Sequence, residues 1–257
     1  MKRSEITNHE TKAITITFNG VTYRFSRAAF EGTKASPAFA AVSLPDSREL
    51  IYPMWNQGKL GFRYLRRNGC STCALACLLS ACADPALTPQ KVLFMRRKLL
   101  APSPLAVFKP INIAAIILML QQYMPVDYMD GGRDDEVRNF ILSRAAIGVP
   151  VIATGRNIPS LHGAGLAGKG IHTFVIIGMK DERTLIVMDS SSYNDQRVKF
   201  VDIDALVGGI LRSGAEYGLS HRKHFFTRLA GGGLVSPAQF RFLRFASATA
   251  ADSGRLL

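Results

Sequence analysis

The sequence predicts an α+β fold in which helices come first and antiparallel strands follow. Residues 70–146 contain long apolar segments typical of helices, whereas residues 149–201 contain short apolar runs typical of buried strands. The regular alternation of strands and helices that builds a doubly wound parallel sheet is missing from this order. We therefore expect a helical part that packs on a mainly antiparallel sheet.

A β-hairpin is predicted at the N-terminus. Residues 13–18 and 21–25 alternate apolar and polar side chains, and an Asn-Gly pair separates them. Asn-Gly is the strongest short signal for a two-residue hairpin turn, because both residues tolerate a positive φ. Residues 27–49 are mixed in composition and contain proline, which predicts a loop with little regular structure. Residues 1–49 are therefore interpreted as an N-terminal extension packed on the main domain.

The main domain is expected to span residues 50–213, and a cysteine-containing helix is its central feature. An Asn-Gly turn precedes Cys70, and Ser71 or Thr72 is expected to cap the helix, because either hydroxyl can accept from a free N–H of the first turn. The residues that follow are strong helix formers with almost no polar face, so this helix should be buried. Four helices are predicted in this part of the chain, at 70–81, 88–100, 111–123 and 134–146.

Four strands are expected after these helices, and the middle two form a hairpin around a charged turn. Their predicted ranges are 149–153, 173–177, 185–188 and 197–201. A last helix should run from Asp202 or Asp204 to about Leu211. Residues 214–257 are interpreted as a basic C-terminal extension.

The chain is strongly basic, with 32 Lys and Arg against 19 Asp and Glu and a formal net charge of +13. Such a surface favours an acidic partner. The positive charge lies in small separate clusters, without a long basic run or a basic segment interleaved with aromatic residues. This pattern disfavours nucleic acid, and a peptide or protein substrate, especially an acidic one, fits it better.

Nothing in the sequence predicts a signal peptide or a membrane-spanning segment. The first residues are Met-Lys-Arg-Ser-Glu-Ile, and the longest apolar run, 113–120, is far shorter than the about 20 residues that cross a bilayer. All four cysteines lie between positions 70 and 82, which is not the spacing of a disulfide-stapled secreted domain. We expect a soluble, cytoplasmic protein, and export by a route without a cleaved signal stays open.

The strongest candidate site combines Cys70, His172 and Asp189. His172 precedes one strand of the predicted central hairpin and Asp189 follows the other, so antiparallel pairing should bring both to one end. A carboxylate beside a histidine orients the ring and favours its protonated form, which is the partner a thiol nucleophile needs. A cysteine at a helix N-terminus can hold a thiolate, because the helix dipole stabilises an anion. Together the three residues predict thiol chemistry, although each type alone is more often structural.

The residues around this trio resemble a known family. Asn-Gly-Cys-Ser-Thr-Cys-Ala-Leu-Ala around Cys70 is similar to the start of the catalytic helix in papain-like cysteine peptidases of the bacterial double-glycine leader-peptidase (bacteriocin-processing) branch. Gly-Val-Pro-Val-Ile at 148–152 resembles the strand before their histidine, and the segments that begin at His172 and end at Asp189 resemble their His and Asp strands. The resemblance covers about residues 50–210. It implies a papain-like fold and a thiol protease, with Cys70 as nucleophile, His172 as general base and acid, and Asp189 orienting the ring.

The chain departs from that family pattern at several positions. Ser71 replaces the usual glycine after the cysteine, Ser190 replaces the usual proline after the aspartate, and Tyr64 stands where the oxyanion glutamine is often found. Gln57 is the only glutamine in the preceding segment, so it is the candidate oxyanion donor together with the Cys70 backbone N–H. No transporter domain follows, so leader processing during export is not implied.

Two other motifs point to different chemistry. The loop 163–170 satisfies a glycine-rich phosphate-binding pattern, but a β run follows it where a helix is needed, so it predicts a mobile loop or lid beside His172. Cys70 and Cys73 form a Cys-x-x-Cys pair, which resembles a redox pair or half of a zinc site. Burial explains Cys77 and Cys82 better than metal binding does. No cofactor and no metal are therefore predicted.

The leading hypothesis is a hydrolase, a cysteine peptidase that cleaves a peptide or related acyl bond. The first alternative is a catalytically inactive binding module on the same fold, which uses its basic surface. The second is a thiol-redox or metal protein. The sequence leaves the substrate, the choice between hydrolysis and acyl transfer, and the oligomeric state open.

Overall fold

The computed structural model describes residues 14–26, 28–31, 38–100, 113–127, 129, 133–155, 158, 161, 172–191 and 196–216. The predicted glycine-rich loop at 163–170 and the predicted C-terminal extension beyond residue 216 lie outside the described residues.

Two four-stranded antiparallel sheets and seven helices make up the described part of the chain, which confirms the α+β class. The strands are β1 (Ile14–Phe18), β2 (Val21–Phe25), β3 (Ala38–Ser43), β4 (Glu49–Met54), β5 (Val151–Gly155), β6 (His172–Met179), β7 (Thr184–Met188) and β8 (Val198–Asp202). The helices are α1 (Ala28–Glu31), α2 (Arg63–Asn68), α3 (Cys70–Cys82), α4 (Pro89–Leu100), α5 (Ile113–Leu120), α6 (Asp134–Ala145) and α7 (Ile203–Glu216), with a 3-10 turn at Gln57–Lys59.

β1 and β2 form the predicted N-terminal hairpin. Phe18 pairs with Val21, so the turn consists of Asn19 and Gly20. Both turn residues have positive φ angles, 48° and 76°. A two-residue turn of this kind matches the natural twist of the strands.

The prediction of a loop over residues 27–49 is wrong for part of that range. β3 pairs with β2 and β4 pairs with β3, which completes a four-stranded sheet that crosses residue 49. β3 is rich in alanine, a poor strand former, and β4 contains Pro53, so neither segment looks like a strand locally. Because β4 is an edge strand, proline is tolerated there, and burial of the inner sheet face decides the structure.

α3 lies between the two sheets. It contacts β4 of the first sheet and β6 of the second, and residues 71–80 are all buried, as expected for a helix without a polar face. One buried cluster joins α3 and the first sheet to Val175 and Ile177 of β6. A second cluster joins Phe174 and Ile176, which alternate with them, to α6 and α7. β6 is therefore covered on both faces, and its first residue lies where the helix meets the second sheet.

The longest apolar run of the sequence forms α5, which has eight residues. At a rise of about 1.5 Å per residue it spans about 12 Å, against about 30 Å for a bilayer core. Among the helices that the structure describes, none has the length and apolar character needed to cross a membrane.

Candidate active site

The central hairpin of the second sheet brings His172 and Asp189 together. His172 is the first residue of β6, and Asp189 directly follows β7, the antiparallel neighbour of β6. The His172 Nε2 atom lies 2.5 Å from Asp189 Oδ1, and both side chains are buried. The strand order alone places the imidazole against the carboxylate, as the sequence pattern predicts.

The Asp189 carboxylate is held at both oxygens. The Ser191 backbone N–H donates to Oδ1 at 2.8 Å, the same oxygen that faces His172. The Lys199 ammonium lies 2.5 Å from Oδ2. Arg197 donates to the backbone carbonyls of Asp189 at 3.1 Å and of Ser191 at 2.8 Å, which fixes the backbone after β7. The carboxylate therefore presents a fixed acceptor to the histidine ring.

Cys70 is the first residue of α3 and is partly exposed as a residue. Burial by itself would raise the pKa of the thiol. The hydrogen bond and charge of His172, helped by a hydrogen bond from the Thr173 backbone, outweigh burial and lower the pKa of Cys70 to about 7. The thiol therefore ionises more readily than an ordinary cysteine, and the thiolate is the nucleophilic form.

His172 and Asp189 shift their pKa values in opposite directions. Burial by itself would lower the pKa of His172, but the charge and hydrogen bond of Asp189 raise it to about 10. Burial would also raise the pKa of Asp189, but His172 and then Lys199 hold it well below its usual range. Cys70 and His172 therefore each favour the charged form of the other, which lowers the pKa of the thiol and raises the pKa of the imidazole.

The prediction that Ser71 or Thr72 caps α3 is wrong. Gly69 occupies the N-cap position, and no side chain caps the helix. The Ser71 hydroxyl instead lies 3.0 Å from the Thr173 hydroxyl, which lies 3.1 Å from the Thr154 hydroxyl. Ser71 faces the second sheet because α3 packs on β6, so its hydroxyl joins the helix to the strand that begins with His172.

Gln57 lies beside the site, and a hydrogen bond of its side chain runs to α2. Its backbone N–H donates to the Ser190 carbonyl at 2.9 Å, next to Asp189. Its side-chain Nε2 donates to the Arg66 carbonyl at 3.1 Å. That bond uses one of the two N–H groups of the amide. The oxyanion role of Gln57 stays a prediction.

The other cysteines have different surroundings. Cys73 and Cys77 are buried, and burial raises the pKa of each thiol. Cys82 is exposed, so burial does not account for it as predicted. All four cysteines are free thiols. In the part of the chain that the structure describes, no group of three or more His, Cys, Asp or Glu side chains could hold a metal ion.

Sequence reasoning missed Lys199 and Arg197 as part of the site. Both lie at the start of the strand predicted at 197–201, and both are buried, with exposures of 6% and 3%. The signal that could have found them is the pair of basic residues, two apart, in a strand otherwise made of apolar residues. Lysine and arginine are seldom buried without a partner, so such a strand should face a carboxylate.

No protein-family model matches the chain, and a search of curated proteins gives no match either. The resemblance described from the sequence motifs therefore stays a prediction.

Proposed function

We propose that this chain is a thiol hydrolase with a papain-like arrangement, a cysteine peptidase in which Cys70, His172 and Asp189 form the catalytic triad. One observation carries the proposal. A buried imidazole lies 2.5 Å from a buried carboxylate and lowers the pKa of a partly exposed cysteine at a helix N-terminus to about 7. These are the parts that an activated thiol nucleophile needs.

The proposed reaction depends on which nitrogen of the His172 ring contacts Asp189. Nε2 of His172 faces Asp189, so Nδ1 serves the Cys70 sulfur. The thiolate attacks the substrate carbonyl carbon and forms a C–S bond, and the imidazolium gives its Nδ1 proton to the departing amine as the C–N bond breaks. The imidazole then takes a proton from water, which attacks the thioester and releases Cys70.

The negative charge that develops on the substrate carbonyl oxygen needs hydrogen-bond donors to stabilise it. The backbone N–H of Cys70 belongs to the first turn of α3, where N–H groups have no partner within the helix. The second N–H of the Gln57 amide is the candidate for the other donor. A peptide or protein substrate, with an acidic one favoured by the charge of +13, completes the proposal. A cytoplasmic location rests on the sequence alone.

The first test is alkylation by iodoacetamide as a function of pH. We expect the native protein to be modified at Cys70 with a midpoint near pH 7, and Cys70→Ala to lose that modification. His172→Ala should move the midpoint to about 8.5 or above, because the cation that stabilises the thiolate is gone. Cys82→Ala is the matched control, since Cys82 is exposed but lies at the far end of α3. An ordinary thiol midpoint in the native protein would end the proposal.

Cleavage itself is tested on a mixed peptide library read by mass spectrometry. We expect cleaved bonds with the native protein, and a fall of at least about 10³-fold in rate with Cys70→Ala, because the nucleophile is removed. A library enriched in Asp and Glu should be cleaved faster than a matched Lys and Arg library. Equal cleavage by Cys70→Ala and the native protein would contradict the peptidase proposal.

A non-catalytic binding module is the second candidate, and the Gln57 side chain favours it. Its bond to the Arg66 carbonyl turns one amide N–H away from the site. If this module is correct, alkylation near pH 7 persists but no peptide is cleaved, and Gln57→Ala changes neither result. If the peptidase is correct, Gln57→Ala lowers the cleavage rate by about 10²-fold without moving the alkylation midpoint.

A further inference from the structure

We propose that Lys199 is a fourth functional member of this site, a positioning residue that fixes the Asp189 carboxylate and adds positive charge next to the Cys70–His172 pair. The inference rests on the proposed function of those residues. It goes beyond that function because neither the family resemblance nor the sequence pattern assigns a role to a lysine.

Each oxygen of the Asp189 carboxylate contacts a different cationic side chain. His172 faces Oδ1 at 2.5 Å and Lys199 faces Oδ2 at 2.5 Å. The same ammonium donates to the Leu161 carbonyl at 2.9 Å, so its own position is fixed as well. A carboxylate bound at both oxygens cannot turn without breaking a charge-assisted hydrogen bond. The oxygen that orients the imidazole therefore stays in place.

Strand register explains why this lysine reaches the site. Lys199 of β8 pairs directly with Val187 of β7. Asp189 lies two residues beyond Val187 on the same face, which makes Lys199 its diagonal neighbour. Diagonal neighbours lie about 7–8 Å apart, within the reach of a long side chain.

Stability alone does not explain a buried ammonium here. Lys199 is 6% exposed and Asp189 2% exposed, so both charges are removed from water. Apolar side chains of similar volume usually stabilise a protein as well as a buried ion pair does. An ion pair that directly adjoins the imidazole has a chemical consequence instead, because it sets the charge around the thiolate.

Charged and titratable groups reach this cluster from every element packed around it. They are Cys70 and Cys73 of α3, His172 of β6, Asp189 after β7, Arg197 before β8, and Lys199 itself. Cys73 stays a neutral thiol because burial raises its pKa. Arg197 donates to backbone carbonyls, whereas Lys199 contacts the carboxylate directly. Loss of the Lys199 charge should therefore raise the pKa of Cys70, of His172 and of Asp189.

The experiment compares Lys199→Met, which removes the charge, with Lys199→Arg, which keeps it. The readout is the pH midpoint of Cys70 alkylation by iodoacetamide. We expect Lys199→Met to raise that midpoint by about one pH unit, which is about a tenfold slower alkylation at acidic pH. Lys199→Arg should keep the native midpoint. Lys180→Met is the matched control, because Lys180 is exposed at the far end of β6.

If the pH midpoint of Cys70 alkylation in Lys199→Met equals that of the native protein, the proposed role of Lys199 is wrong. Loss of a merely structural residue would change the amount of folded protein but not this midpoint. A midpoint in Lys199→Arg as high as in Lys199→Met overturns the proposed role too. An ordinary thiol midpoint in the native protein overturns the proposed function itself, so the two failures differ.

A second measurement applies if Lys199→Met folds poorly. Asp189→Asn, Lys199→Met and the double variant are then compared by urea unfolding. Because Lys199 contacts Asp189 directly, we expect the double variant to lose less stability than the sum of the two single losses. Purely additive losses overturn the pairing.

Discussion

At the residue scale, the site depends on groups of opposite charge that lie close together. Cys70 and His172 each favour the charged form of the other, and Asp189 fixes the ring from the opposite side. The proximity of His172 and Asp189 followed from antiparallel pairing of two predicted strands. The Lys199 contact could not be predicted in the same way, because two basic residues in an apolar strand indicate a buried acidic partner but not which residue it is.

The first prediction concerns the alkaline limit of the proposed reaction. Asp189 stabilises the imidazolium, so the pKa of His172 is raised, and the ion pair persists until pH rises through about 10. Asp189→Asn removes that charge, and we expect the descending limb of kcat/KM to move to lower pH by at least about 1. The measurement is the pH profile of peptide cleavage for both proteins.

Asp181→Asn is the control for that profile. Asp181 lies in the exposed turn between β6 and β7, and an asparagine can still accept its hydrogen bonds from Arg183 and Thr184. Its profile should match the native one. An unchanged alkaline limb in Asp189→Asn would mean that the carboxylate does not stabilise the imidazolium.

At the element scale, the junction between α2 and α3 positions Cys70, the proposed nucleophile. Gly69 separates the two helices, and its N–H donates to the Leu65 carbonyl while its carbonyl accepts from the Cys73 N–H. The sequence predicts a turn at Asn68-Gly69, and the chain does break there between two helices. The reason differs from the usual one for an Asn-Gly turn. Gly69 has a φ of −89°, so the glycine is needed for space and not for a left-handed backbone.

The second prediction follows from that lack of space. A Cβ at position 69 would lie 2.3 Å from the Leu65 carbonyl oxygen, and Leu65 is fully buried. Gly69→Ala should therefore push Cys70 out of line with His172. We expect about 1–3 kcal/mol lower stability in urea unfolding, together with slower alkylation of Cys70.

Gly61→Ala is the matched control, because a Cβ there meets nothing within 4 Å. We expect its stability to change by less than about 0.5 kcal/mol and its alkylation rate to stay native. If Gly69→Ala behaves like Gly61→Ala, the junction does not position Cys70.

At the scale of the whole molecule, the two sheets also contact each other directly beside α3, where Tyr23 of β2 lies against Gly178 of β6. A Cβ at position 178 would lie 1.9 Å from Tyr23 Oη, and Tyr23 is fully buried. The register between β6 and β7 shifts at this point, between Ile176 and Gly178. The first sheet therefore helps to hold β6, the strand that begins with His172, in its position.

The third prediction tests that support. Gly178→Ala should lower stability by about 1–3 kcal/mol, because the new Cβ would overlap the fully buried Tyr23 ring and force it to shift. Combined with Tyr23→Leu, which shortens the facing side chain, the same substitution should cost clearly less. Urea unfolding of the two single variants and the double variant gives the coupling. If the stability losses of the two single variants simply add in the double variant, the side chains at positions 178 and 23 do not clash.

Local pattern by itself determined most elements of this protein. Alternation and an Asn-Gly pair predict β1 and β2, apolar helix-forming segments and helix-start signals predict α3 to α7, and the hairpin order predicts that His172 meets Asp189. These features depend on neighbours in sequence or on one antiparallel pairing.

Only the tertiary structure decided how the rest assembles. β3 and β4 become strands because one face of the first sheet is buried against α3, which overrides their alanine and proline content. Ser71 turns to Thr173 instead of capping its helix, and Lys199 reaches Asp189 across two strands. The physical reason is the same in each case: burial and charge pairing between distant segments outweigh local preferences, and the sequence around a residue does not encode its distant partner.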